Sequence, residues 1–427
     1  MRGTKSKVAV GIFFLVILSL LVSAQAGKGQ GQWVSTWSAA VHTPLPFPGL
    51  PPAPVFENQT VRMVVRSSSG GQRLRIRFSN AYGSTPLEIG AAHVALTDHG
   101  SAIVAGSDRA LTFAGKPSVT VPIGAPILSD PVEMKVAPST EISISIYLSH
   151  STAASTTHFW AQHDTYVSGP GDFTAQSEIA NPTETKSWYY LSDLEVWAGD
   201  GAGALVTLGD SITDGVGARQ GDYSDWPDQL AKRLSSSSVG PSLAVLNEGI
   251  GGNRILHDGA GVNALARFDR DVLAQPGVRD VILLEGINDI GWPHMKLPPP
   301  KDGTAPRQSP FAAQGVTVDD LIAGMQQIVD RAHEHHIWMF GATLTPYEGA
   351  DYFSKDGEQV RQAVNHWIRT SRAFDGVIDF DAAVRDPNHP ARFREDYQSG
   401  DHLHPSAIGY KAMADAVDLA LLQVSGR

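Results

Sequence analysis

The sequence predicts two joined units: an all-β sandwich, then an α/β unit with a parallel sheet covered by helices on both faces. Three observations predict this. From Gln32 to Ala198, short alternating runs are separated by turn residues and few helical stretches intervene, as in an all-β domain. From Gly201 onward, short apolar strands alternate with helical stretches, which reads as successive βαβ units. Between the two textures lies the small-residue linker Asp200-Gly-Ala-Gly203. The length of 427 residues suits two or three domains.

In the first unit, Val61–Arg66 reads as a strand and Leu74-Arg-Ile-Arg-Phe78 alternates strictly, with Ser68-Ser-Gly-Gly71 as the turn between them. Further strands are expected at Ile89–Leu96, Val119–Val121, Glu141–Leu148 and Thr157–Trp160. In the second unit, the strand Ala204–Leu208 precedes a helix Trp226–Leu234, and Leu243–Leu246 precedes a helix Asn263–Leu273. There follow a strand Val281–Leu284, a helix Val318–His333, a strand Ile337–Leu344, a helix Glu358–Thr370, a strand Val377–Phe380 and a last helix Ser406–Leu422. In an open parallel sheet, ligands bind outside the carboxyl ends of the strands.

Composition narrows the chemistry. Hydrophobic residues make up 42% and charged residues 18%, which excludes a disordered or fibrous chain and allows a sizeable core. Cysteine is absent, so disulfides, thiolate nucleophiles and cysteine-ligated metals are excluded together. The formal charge of −11 argues against nucleic acid as a partner. At the N-terminus, Arg2, Lys5 and Lys7 precede the apolar run Val8–Val22 and an A-x-A pattern at Ala24 and Ala26. That is the layout of a secretory signal peptide over residues 1–26, too short for a comfortable membrane span. Export to the periplasm or the extracellular space is therefore expected, without stable membrane insertion after cleavage.

The most informative segment is Leu205-Val-Thr-Leu-Gly-Asp-Ser-Ile-Thr-Asp-Gly215. A buried strand ends at Gly209, and Ser211 falls where a helix begins, at the carboxyl edge of the sheet. Free backbone N–H groups at a helix start can face an incoming carbonyl oxygen; a plain capping serine is the competing reading. Asp401-His-Leu-His404-Pro places an acid three residues ahead of a histidine. A nucleophilic serine needs such a base, and the base needs a group that holds its tautomer. His404 is preferred to His402, because adjacent side chains rarely face each other whereas a three-residue turn brings them together. Asn247-Glu-Gly-Ile-Gly-Gly-Asn253 follows the second strand and Gly286-Ile-Asn-Asp289 the third. Polar donors thus gather at the ends of consecutive strands, as an oxyanion hole requires. Asp210 reads as a structural turn acid. His333, His335 and His336 read as helix-end residues rather than a metal site.

These four segments resemble, in order, blocks of the SGNH (GDSL-type) hydrolase family, through Gly209-Asp-Ser211-Ile, Asn247 to Gly252, Gly286-Ile-Asn288-Asp289 and Asp401-His-Leu-His404. The resemblance covers about residues 204–422. It implies a flavodoxin-like three-layer α/β fold in a hydrolase domain at 201–427. It also implies a nucleophile at Ser211, a general base at His404 oriented by Asp401, and an oxyanion hole from the Ser211 N–H, the Gly252 N–H and the Asn288 side-chain amide. A shift of one residue would put Gly251 in place of Gly252. Residues 32–198 look like the β-sandwich accessory domain of secreted two-domain esterases, on Arg75-Ile-Arg-Phe-Ser-Asn-Ala-Tyr-Gly83. Asn80 and Tyr82 there are read as turn residues ahead of active-site rim residues.

The expected function is a secreted carboxylic ester hydrolase that works through an acyl-serine, with neither cofactor nor metal. A histidine base must be neutral, so activity is expected to fall in acid, below an apparent pKa of roughly 6–7. The expected substrates are short-chain or acetyl esters, small or carried on polysaccharide, with lipase, lysophospholipase or arylesterase activity as alternatives. Aromatic residues on long strand-end loops (Trp292, Tyr347, Tyr352 and Phe353, beside the stiff run Pro298-Pro-Pro300) suit sugar rings and aryl groups alike. From other classes, a non-catalytic glycan-binding protein would bind glycan without turning over p-nitrophenyl acetate, and a flavodoxin-like electron carrier would show bound flavin absorbance. The G-x-S-x-G elbow, H-E-x-x-H and P-loop patterns do not occur.

Overall fold

The computed structural model describes residues 31–44, 52–237, 242–296 and 308–424. The expected leader at 1–26 and the Pro298–Pro300 run lie outside the described residues.

The first unit is a β-sandwich of antiparallel strands. Its principal strands are β1 (Gln32–Ser38), β2 (Gln59–Arg66), β3 (Gly71–Ser79), β4 (Ala91–His99), β5 (Glu141–Leu148), the short β6 (Thr157–Phe159), β7 (Thr165–Pro170) and β8 (Leu191–Ala198). One sheet runs β1–β8–β3, with Pro126–Leu128 and Val132–Val136 both paired to β3. The other runs β7–β2–β5–β4, extended by short strands at both ends. Period-two alternation builds the core: Ile142, Ile144, Ile146 and Leu148 of β5 are fully buried, as are Leu74, Ile76 and Phe78 of β3. The run Ile89–Leu96 is two strands rather than one. Leu87–Ile89 pairs with Val119–Val121, and β4 starts afresh against β5. The break falls at Gly90, whose N–H donates to Tyr147 O at 2.9 Å and where a side chain would meet the Tyr147 ring at 3.0 Å.

The second unit is a three-layer α/β sandwich. Strands β9 (Gly203–Gly209), β10 (Leu243–Gly249), β11 (Val278–Leu284), β12 (Trp338–Ala342) and β13 (Gly376–Ile378) are all parallel, in the order β10–β9–β11–β12–β13. This is the flavodoxin-like order, with its switch point at the carboxyl end of the central first strand. Every residue of β9 is buried, which is why it reads as an unbroken apolar run. Helices α1 (Ser211–Asp214), α2 (Trp226–Ser236), α3 (Ala264–Phe268), α4 (Ile287–Gly291), α5 (Val318–Glu334), α6 (Lys355–Thr370), α7 (Phe380–Val384) and α8 (Ala407–Ala416) complete the layers. In α5 a capping box joins Thr317 and Asp320, and Leu321, Met325, Ile328, Val329 and Ala332 form its buried stripe.

Two helices end differently from expectation. The Asn263–Leu273 helix becomes a π-turn at Asp269–Leu273. The expected Ser406–Leu422 helix breaks at Ala416, where the Arg233 guanidinium takes the carbonyls of Ala414 and Val417, and a short helix resumes at Leu421–Val424. A side chain from another helix thus satisfies carbonyls that another turn would have used.

The two units are joined by more than the linker. Beyond β1, Ala39 pairs in parallel with Asn247 of β10, and the Val245 N–H donates to Ser68 Oγ at 3.0 Å. The open edge of the parallel sheet is thereby covered. Arg270 reaches the Tyr82 hydroxyl at 2.6 Å and Val41 O at 3.0 Å. Tyr82 is therefore a junction residue, whereas Asn80 is buried and donates to the Thr85 carbonyl nearby and to the Val121 and Pro122 carbonyls, 41 and 42 residues later in the same unit.

Candidate active site

The β9–α1 junction places Ser211 at the carboxyl edge of the sheet. Asp210 caps α1 by accepting the Ile212 N–H at 2.9 Å, which leaves Ser211 as the first helical residue. Burial pushes the Asp210 carboxyl up to about 7. Its position and bond are those of the structural turn acid expected. Ser211 itself is only 6% exposed.

His404 Nε2 lies 2.8 Å from Ser211 Oγ, and His404 Nδ1 lies 2.5 Å from Asp401 Oδ2. The tight turn does this locally, since Asp401 Oδ1 also accepts the N–H groups of Leu403 and His404 at 2.9 Å each. Partial burial works to raise the Asp401 pKa, but the His404 hydrogen bond and charge and these two N–H groups outweigh it, holding the carboxyl well below the usual range. The competing His402 packs its ring where a Gly349 side chain would stand.

In the loop after β10, Gly251 and Gly252 differ in what their N–H groups do. Gly249 N–H donates to Asn247 Oδ1 at 3.0 Å, Ile250 N–H to Gly209 O at 3.1 Å, Gly251 N–H to Asp214 Oδ2 at 3.0 Å, and Asn253 N–H to Ile250 O at 3.0 Å. Of five consecutive donors, only the Gly252 N–H has no acceptor among the described residues. Gly252 is also the third residue of the Ile250–Asn253 turn and has φ +81°, a conformation that suits glycine. At Gly249 a side chain would stand 2.2 Å from the Asp214 N, so glycine there lets the loop pass directly against α1.

After β11, Asn288 lies on α4 and is buried. Its Nδ2 donates to Asn253 O at 3.0 Å and its Oδ1 accepts from the Tyr352 hydroxyl at 3.2 Å. Both bonds fix the amide orientation and leave a second Nδ2 hydrogen available. Asp289 accepts the Ile255 and Leu256 N–H groups at 2.8 and 3.0 Å. Burial, partly offset by those bonds, pushes its carboxyl up to about 6.

Sequence reasoning missed Arg267, and it read Tyr352 as a rim aromatic rather than as the partner of Asn288. Arg267 is 1% exposed and donates to Asn253 Oδ1, Glu248 O and Gly209 O at 2.7–2.9 Å. It ties the ends of β9 and β10 to the Gly252 turn. Its signal was available: a charged residue on the same helix as the buried Ala264 and Phe268. Tyr352 carried no motif. Trp292, Tyr347 and Tyr352, expected as an aromatic rim, are buried instead. The Trp292 ring lies 2.8 Å from where a Gly252 side chain would begin, and stacks beneath the Arg254 guanidinium at 4.6 Å. His333 bonds Asp375 at 2.9 Å. Among the described residues, no three His, Asp or Glu groups are placed to share a metal ion, and no helix is long and apolar enough to cross a membrane.

Residues 207–412 match the GDSL-like Lipase/Acylhydrolase family. No curated protein matches the chain. Among solved structures, the chain is similar to an acetylxylan esterase from Geobacillus stearothermophilus, with 24% identity over 50% of this chain and 91% of that one and a TM-score of 0.37. It is also similar to a GDSL-like lipase from Bacteroides thetaiotaomicron, with 17% identity over 52% of this chain and 88% of that one and a TM-score of 0.36. Residues 207–412 of this chain thus form a GDSL-like lipase/acylhydrolase domain, and the chain is a serine ester hydrolase.

Proposed function

We propose that the protein is a secreted esterase that cleaves short-chain or acetyl esters through an acyl-Ser211 intermediate. The observation that carries this is the hydrogen-bonded line Asp401–His404–Ser211, at 2.5 and 2.8 Å. Asp401 accepts the proton on Nδ1, so the unprotonated Nε2 is the atom that meets the Ser211 hydroxyl. Ser211 Oγ attacks the ester carbonyl as Nε2 takes its proton. The carbonyl oxygen becomes an oxyanion facing the N–H groups of Ser211 and Gly252 and the free Asn288 Nδ2 hydrogen. Collapse expels the alcohol, which takes the proton from His404. Water then releases the acid by the same steps.

Domain limits of 32–198 and 201–427 accompany this reading, and export rests on the charged, apolar and A-x-A pattern of residues 1–26. The preference for short acyl groups rests on the enclosure of Ser211 and on the Trp292 ring packed over the Gly252 turn. It is tested with p-nitrophenyl esters from acetate to dodecanoate, beside acetate release from acetylated xylan and pectin. Acetate to butyrate should be fastest. A maximum at long chains would identify a lipase instead.

Two further results are expected. Asn288→Ala should lower kcat on the order of 10²–10³-fold with a much smaller change in KM, because one preorganised donor to the oxyanion is lost; an unchanged kcat removes Asn288 from the site. A plot of log kcat/KM against pH should show a single acid limb of unit slope. The sign follows from Asp401: a carboxyl with a lowered pKa stays ionised through mild acid, so of the Asp401–His404 pair it is the imidazole that takes up the proton and loses its role as base. A limb of slope two in mild acid would contradict it.

A further inference from the structure

The N-terminal sandwich reaches the Gly252 turn through one buried side chain. His158 lies on β6, which pairs with Ser187–Tyr189 in the sandwich unit. It is 3% exposed. Its Nδ1 lies 2.9 Å from Ala40 O and its Nε2 3.0 Å from Asp214 Oδ1. Asp214 is three residues after Ser211 on α1, and its second oxygen accepts the Gly251 N–H at 3.0 Å. A carbonyl can only accept, so Nδ1 carries a proton. Nε2 faces Asp214 Oδ1 while the second Asp214 oxygen accepts from Gly251, so His158 sits in a buried hydrogen-bonded pair with Asp214. Burial works to lower its pKa, but the charge and hydrogen bond of Asp214 and the bond to Ala40 outweigh it and the pKa is raised. The neighbouring His42, whose ring centre is 5.8 Å away, behaves oppositely. It accepts the Phe159 N–H at 3.1 Å, and burial followed by the His158 charge lowers its pKa to about 3.

We propose that His158 is a positioning residue for ester hydrolysis: from the sandwich it holds Asp214, and through Asp214 it holds the Gly251 N–H so that the Gly252 N–H faces the substrate oxygen. The proposal rests on the reading of Gly252 as an oxyanion donor. It gives the N-terminal unit a part in the chemistry itself, because the active site is incomplete without it. Removing His158 would leave a buried Asp214 carboxylate short of a partner and free to turn away from Gly251. Asn247 Nδ2 donates to Thr213 O at 2.8 Å and Gly249 packs against α1, but beyond Gly249 the loop's bond to α1 is that from Gly251, whose acceptor Asp214 is the residue His158 holds.

The test uses full-length protein, with active sites counted by stoichiometric labelling with a p-nitrophenyl phosphonate. His158→Phe keeps a ring beside Trp188 and His42 and removes both hydrogen bonds. Its kcat per labelled site on p-nitrophenyl acetate should fall about 10–100-fold, with KM within about threefold of the parent. His158→Gln, which restores an N–H toward Asp214, should recover a substantial part of that loss. Asp214→Ala should lose as much as His158→Phe, and the double variant no more than either, because both cut one chain of contacts. A purely structural His158 would lower Tm yet leave kcat per site unchanged. The proposal is overturned if His158→Phe stays within twofold of the parent, if His158→Gln is no better than His158→Phe, or if the losses multiply. Should His158→Phe fail to fold, Asp214→Ala decides: a loss of the expected size supports the proposal and an unchanged kcat per site overturns it. Turnover by Ser211→Ala, or an unchanged kcat in Asn288→Ala, would strike at the underlying mechanism instead. Losses in those two beside a normal His158→Phe would strike at this proposal alone.

Discussion

Ser211→Ala should lower ester hydrolysis on the order of 10⁴–10⁶-fold, with the far-UV spectrum and melting temperature close to those of the parent. The expected size follows from what disappears. The covalent step has no other nucleophile at this position: the chain has no cysteine, and Asp210 faces the Ile212 N–H rather than the site. The remaining activity would come from substrate positioning and the oxyanion donors acting on water. Stability should change little, because the one side-chain bond lost is that to His404, worth roughly 1 kcal/mol. The check is kcat on p-nitrophenyl acetate beside a thermal melt. Turnover within tenfold of the parent by a folded variant would remove Ser211 from the mechanism.

The second large effect concerns His404. His404→Ala should cost a factor of the same order, and the double variant Ser211→Ala/His404→Ala should be no slower than either single one. The two groups work as a unit: a base without a nucleophile, or a nucleophile without a base, forms no acyl-enzyme. The backbone bonds of residue 404, from Ser399 N–H to its carbonyl and from its own N–H to Asp401, survive the substitution, so the turn should stay folded. Losses that multiply in the double variant would mean that the two residues act independently, contrary to the hydrogen bond between them.

Much of this site could be read along the chain because its parts are local. Ser211 follows a strand by two residues, and Asp401 and His404 share one turn. Asn288 likewise begins the short helix after its strand. Each depends on a junction that the chain builds from neighbouring residues, with Gly249 needed where the loop passes against α1. Strands such as Glu141–Leu148 were legible for the same reason, since alternation is written residue by residue. The misreadings fall where a distant group intervenes. The last helix looks continuous to Leu422 until Arg233 takes its end carbonyls, and Ile89–Leu96 looks like one strand until Tyr147 takes the Gly90 N–H.

The same division runs through the oxyanion turn. Sequence alone determined that a glycine of this loop would lie beside Ser211, because spacing and residue type are local properties. Which glycine has its N–H available was decided only in the tertiary structure. Asp214 accepts the Gly251 N–H through one oxygen, and His158, 53 residues before Ser211, hydrogen-bonds its other oxygen. No spacing rule connects those residues. A buried carboxylate must find partners wherever the fold supplies them, and here the fold supplies one from the other unit.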